Sequence, residues 1–161
     1  MSKTMRVKVD IAKFKEQLNA LKEVFDNATR PAAQAGAQIV YERAREIVAA
    51  ELTSSREHYF YGQASKALPS GSKKAAAYGP YKPGSLYRSI YQVFSKDNSF
   101  SDFSTYHVSW NADKAPYGGM VEVGTSTASP HSFIGRAAIE TRSAVKAAIK
   151  QRYIEEVNSK L

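Results

Sequence analysis

The 161-residue sequence contains no cysteine. Disulfide frameworks, thiolate nucleophiles and cysteine-based zinc sites are thereby excluded together. A cysteine-free chain suits a protein made in a reducing cytosol. Also missing is any apolar run near the ~18 residues that a membrane-spanning helix requires, so no membrane partner is expected. Residues 1–10 have no apolar stretch and no small-residue cleavage site, so no secretory signal is expected. Histidine is scarce: His58, His107 and His131 are the only three. None stands four residues from another and none has a glutamate partner in a metal motif, so no metal ligand set is expected.

Motifs for catalysis are equally thin. Gly71-Ser72-Lys73 resembles the end of a phosphate loop, but the glycine required five residues earlier is Lys66. Gly124-Thr125-Ser126 lacks the G-x-S-x-G elbow that exposes a nucleophile. Glu122 and Glu140 are available carboxylates that nothing marks as a pair. The expectation is a protein with no catalytic residue and no cofactor.

What is present is positive charge and a clear apolar pattern. The chain has 23 basic and 15 acidic residues, a net charge of +8. Five of those eight surplus charges fall in residues 53–88, where Arg56, Lys66, Lys73, Lys74, Lys82 and Arg88 face Glu57 alone. That segment also holds Tyr59, Phe60 and Tyr61. Basic residues beside aromatics suit either a partner surface or a nucleic acid, whose phosphates they would neutralise and whose bases they would stack. No helix-turn-helix, OB or RRM signature accompanies them.

Along the chain, Met5, Val7 and Val9 alternate with charged residues and predict a short strand. Asp10 is placed to cap a helix, whose apolar side is Phe14, Leu18, Leu21 and Phe25. Asp26-Asn27-Ala28-Thr29 predicts a break. Pro31 then opens a second helix reaching about Leu52, with Gly36 inside it either merely tolerated or marking close backbone packing. Residues 53–84 are rich in glycine, proline and serine and read as a long loop. A hairpin follows, with Ile90, Tyr91 and Val93 on one strand, a tip at 95–104, and Tyr106, Val108 and Trp110 on the other strand. A last helix is expected from Ser132 almost to Leu161. The reading is a single α+β domain over 1–161: a small antiparallel sheet packed by two N-terminal helices and a long C-terminal helix.

The most informative stretch is Ala115-Pro116-Tyr117-Gly118-Gly119-Met120-Val121-Glu122-Val123-Gly124-Thr125, followed by Pro130-His131-Ser132-Phe133-Ile134-Gly135-Arg136-Ala137. It resembles the hallmark of the HK97 gp10-like family of tailed-bacteriophage proteins, which overlaps the minor tail protein Z group. Gly84-Ser85-Leu86-Tyr87-Arg88-Ser89-Ile90 is similar to that family's step into the sheet. Gly135 and Arg136 depart from its pattern, and the 53–84 loop is longer than expected. The resemblance implies a structural virion protein of the neck or tail: a head–tail joining, tail-completion or tail-terminator subunit, assembled in the host bacterial cytoplasm. It further implies a homo-oligomeric ring around the DNA channel, with six copies suggested by such family members. Its neighbours would be a connector or stopper and the tail tube, with non-specific contact to channel DNA.

The candidates for assembly contacts are Tyr117, Gly119, Glu122, Gly124, Thr125, Phe133 and Arg136, with Tyr59, Tyr61, Lys73 and Lys74 from the basic segment. Glu122 is expected to accept backbone N–H bonds or to pair with a base such as Arg136, fixing the loop 124–130. The alternative is a DNA-binding module built on residues 53–88.

Overall fold

The structure is a computed structural model that describes residues 11–52, 58–61, 77–126 and 128–161. The strand expected at Met5–Val9, the cap expected at Asp10, and Lys73 and Lys74 lie outside the described residues.

Helix α1 runs unbroken from Ala12 to Ile47 and widens into a π-helical turn at Val48–Leu52. The break expected at 26–29 is therefore corrected: one long helix replaces two. Pro31 removes one N–H from the ladder, which should favour a stop. Packing overrides it. Ala28, Ala32 and Gly36 bury one face, and tertiary contact, more than local propensity, stabilises a helix. The Thr29 hydroxyl donates to the Asp26 carbonyl (2.8 Å) and meets Ser104 Oγ at 2.9 Å, tying this level of α1 to the hairpin tip.

Strands β1 (His58–Tyr61) and β2 (Ala77–Tyr81) pair antiparallel, so the stretch expected as a loop at 53–84 contains a strand pair. Helix α2 (Ser85–Ser89) is a single turn, entered through Gly84 at φ +73°. It leads into β3 (Ile90–Phe94), which pairs antiparallel with β4 (Tyr106–Trp110) in the register Ile90–Trp110 to Phe94–Tyr106. This is the expected hairpin. Gln92 donates to Gln38 and the Arg30 guanidinium lies 4.4 Å over the Phe94 ring, so β3 runs antiparallel along α1.

Helix α3 (Gly118–Val123) follows. The expected last helix is two pieces, α4 (Phe133–Glu140) and α5 (Arg142–Asn158). Thr141 separates them: its hydroxyl donates back to the Ala137 carbonyl (2.7 Å), a side-chain bond that competes with a regular ladder. Helix α5 lies antiparallel on α1. A Cβ added at Gly36 would stand 2.7 Å from Ile149 and 3.2 Å from Val145, so the glycine marks close helix packing. The architecture is α+β, with a long N-terminal helix, small antiparallel sheets and a helical C-terminal part.

Candidate functional site

The three stretches that carry the family resemblance converge. Leu86 and Ile90 come from 84–90, Ala115 and Tyr117 from 115–125, and Phe133 and Ala137 from 130–137. All six are buried in one core with Ala44, Ile47 and Val48 of the α1 end. Phe133 is fully buried and meets the Trp110 ring edge-on at 5.9 Å. Tyr117 meets Tyr81 at 5.2 Å. Burial raises the Tyr117 phenol above its ordinary value, opposed by a backbone hydrogen bond at Leu86. Gly118 lies so close to Trp110 that a Cβ would stand 2.4 Å from the indole nitrogen, whereas one at Gly119 would sit at an ordinary 3.6 Å. Of the two neighbouring glycines, the packing demands only the first.

Glu122 holds the joint between α3 and α4. Helix α4 has no side-chain cap of its own. Its free N–H groups turn instead to the Glu122 carboxylate, where Ile134 donates to Oε2 at 3.0 Å and Gly135 to Oε1 at 2.9 Å. The positive end of a helix dipole favours this negative group. Ser132 sits in the left-handed region at φ +42°, which aims the following amides at Glu122, and its own N–H donates to the Glu122 carbonyl at 3.1 Å. A Cβ at Gly135 would fall 3.4 Å from the carboxylate and 2.7 Å from Ser132 Oγ. Local space therefore selects glycine at 135.

The loop between the helices is closed at its base. Thr125 N–H donates to the Ala128 carbonyl (2.8 Å), and Ala128 N–H donates back to Thr125 Oγ1 (3.0 Å). Gly124 has φ +77°, and a Cβ there would meet the Ala128 carbonyl and Pro130 nitrogen at 2.8 Å. Two independent constraints, backbone angle and space, thus select glycine.

Of the two partners expected for Glu122, the backbone is the one found. Arg136 turns elsewhere, to Glu51 at 2.6 Å and Glu140 at 3.6 Å. Glu140 also receives Arg43 (2.7 Å), which reaches Glu46 (3.0 Å). The chain Glu46–Arg43–Glu140–Arg136–Glu51 therefore stitches α1, the π turn and α4 together at the surface. Arg136, first through its hydrogen bond, holds the Glu51 carboxyl below its ordinary range. Exposed pairs of this kind are screened by solvent and each contributes little.

The candidates divide. Tyr117, Glu122, Gly124, Thr125 and Phe133 build the chain's own fold, so Tyr117 and Phe133, expected as contact anchors, turn their surface to an internal core. Arg136 and Gly119 lie nearer the surface. Tyr59 and Tyr61 belong to β1 by their backbone. Sequence reasoning missed the surface ion chain, whose members are 85 and 97 residues apart, and missed Trp110 as the wall against Gly118. Their signals were an aromatic ending a strand and a glycine at the start of the next helix.

A groove of about 420 Å³ between α1, β4 and α5 is lined by apolar side chains such as Ala37, Phe103 and Ile149, with Ser104, Thr105 and Tyr106 at its polar edge. That lining assembles no acid–base pair. Among the described residues no group of histidine, aspartate and glutamate could hold a metal ion. No described helix is long and apolar enough to cross a membrane. The chain matches no protein-family model, no curated protein and no solved structure.

Proposed function

We propose that this chain is a structural virion protein of a tailed bacteriophage, a neck or tail-completion subunit that joins tail to head as a member of a ring around the DNA channel. One observation carries the reading. The three sequence stretches that resemble the HK97 gp10-like family, 84–90, 115–125 and 130–137, meet in a single buried core. Such a pattern serves a rigid body more directly than a reaction centre. Glu122, the one acid of that core region, is engaged by two backbone amides. Its role in this reading is to fix the α3–α4 joint, and the protein acts without catalysis or cofactor.

In this reading the partners are further copies of the chain, a connector or stopper on the head side and the tail tube on the other, with channel DNA touched through its phosphates. The protein is assembled in the bacterial cytoplasm and ends in the virion. Ring contacts are heterologous: one face complements a different face, and closure removes free ends.

The test is electron microscopy with light scattering on the purified chain, alone and mixed with tail tubes. Closed rings, free or seated on tube ends, are expected. A chain that forms no ring in either setting but binds duplex DNA with an affinity falling steeply with salt would replace this reading with the DNA-binding one.

A further inference from the structure

Among the described residues, no helix or strand covers the first part of α1. No residue from Ile11 to Asn27 is buried, and burial begins at Ala28. Yet Ile11, Phe14, Leu18, Leu21 and Phe25 form a regular stripe, spaced three, four, three and four residues apart, with exposures of 50%, 64%, 54%, 38% and 41%. That spacing is the seam of a helix that packs on another helix. The sequence predicted Phe14, Leu18, Leu21 and Phe25 as the apolar side of this helix; the structure leaves that side open and adds Ile11 to it.

The body indicates what fits there. Helix α5 covers the same side of α1 further along, running the opposite way: Gly36 lies against Ile149, and Arg152 shares a groove with Pro31. Val157 is its last buried residue, and Leu161 is 75% exposed. The cover over α1 therefore stops where the open stripe begins. A helix that continued the line of α5, antiparallel to α1, would complete it.

We propose that the occupant is the same segment of a second copy, so that two α1 arms pair antiparallel over residues 11–25. In that arrangement each arm runs in line with the partner's α5 and the two bodies lie at opposite ends. A parallel pair would instead drive the two α5 helices into one space. The area is sufficient. Five side chains each exposing roughly 100 Å² give about 500 Å² per copy and about 1,000 Å² for the pair, the lower bound of a specific interface. Elsewhere on the described helices, the outer side of α5 exposes Ile154 and Leu161 but no stripe of comparable length.

This contact is isologous, unlike a ring seam, so it joins copies independently of the ring and goes beyond the functional reading above. The absence of cysteine makes it directly testable. In the full chain, an equimolar mixture of Ile11→Cys and Phe25→Cys proteins should form mixed disulfide dimers on mild oxidation, well above the yield of either protein alone. The double variant Phe14→Glu/Leu18→Glu should weaken self-association by roughly a hundredfold or more in sedimentation velocity, with an unchanged melting profile at low concentration. Efficient self-crosslinking of Ile11→Cys alone would overturn the antiparallel pairing. So would a double variant that keeps the wild-type mass, an outcome that leaves the ring reading standing. A wild-type chain that stays monomeric at high concentration, or that is recovered as a monomer on phosphatidylglycerol vesicles, would overturn the second copy as occupant.

Discussion

Phe133 and Phe14 each stand at an apolar position of a helix, yet Phe133 is fully buried and Phe14 is 64% exposed. The difference does not lie in their own helices. Phe133 is enclosed because Trp110, Tyr117 and the α1 end converge on it, and because Glu122 locks the first turn of its helix in place. Phe14 belongs to a stripe just as regular, but among the described residues the helix that covers that side of α1 has already ended. Periodicity therefore specifies which face of a helix is apolar. It does not specify which molecule covers that face.

This contrast can be broken or sharpened experimentally. The largest effect is expected at the core: Phe133→Ala should cost about 3–5 kcal/mol in urea unfolding, because a filled aromatic site becomes a cavity. A loss below about 1 kcal/mol would mean that the joint is not the centre of stability. Next comes Glu122. Replacing it with alanine leaves two helix amides without their charged acceptor and should cost about 1–3 kcal/mol, while Glu122→Gln, which keeps one acceptor oxygen, should lose less. Equal losses would show that charge and not hydrogen bonding carries the cap.

A smaller effect belongs to Glu51. Its carboxyl is held below the ordinary value of 4.5 in the folded state by Arg136. The stabilisation is therefore complete above the unfolded value and is lost as pH falls through the folded one. Carboxyl titration by NMR should place Glu51 below 4.5 and return it to the ordinary range in Arg136→Gln. The smallest effect is expected on the arm. Leu18→Ser should change unfolding by less than about 0.5 kcal/mol at low concentration, since its side chain is exposed and outside the core. A loss of core-like size would place the arm inside the folded unit.

Much of this architecture was legible from local pattern. Alternation at Tyr106, Val108 and Trp110 gave β4, and the pairing with Ile90–Phe94 followed. Glu122 stood out as the lone acid among glycines, and its backbone partners were one of two expected choices. The failures have physical causes. Asp26, Asn27, Thr29 and Pro31 are sound breaking signals, but burial of Ala28 and Ala32 against α5 outweighs them. Thr141 carried no such signal, because a threonine bonding to the fourth carbonyl before it is invisible until the helix exists. The ion chain linking Glu51, Arg136, Glu140 and Arg43 depends on distances that only tertiary structure creates.

Gly36 has a mechanical meaning as well. It lies close against α5, and Ala28, eight residues toward the N-terminus, is the last buried residue; from there to Ile11 the helix extends 17 residues, about 26 Å at 1.5 Å each. A helix supported at one end behaves as a lever. A tilt of about 10° at Ala28, passed on from a displaced Ile149, swings the far end by roughly 4.5 Å, close to a full helical turn of rise. The smallest residue in α1 thus sets where its largest exposed side chains point.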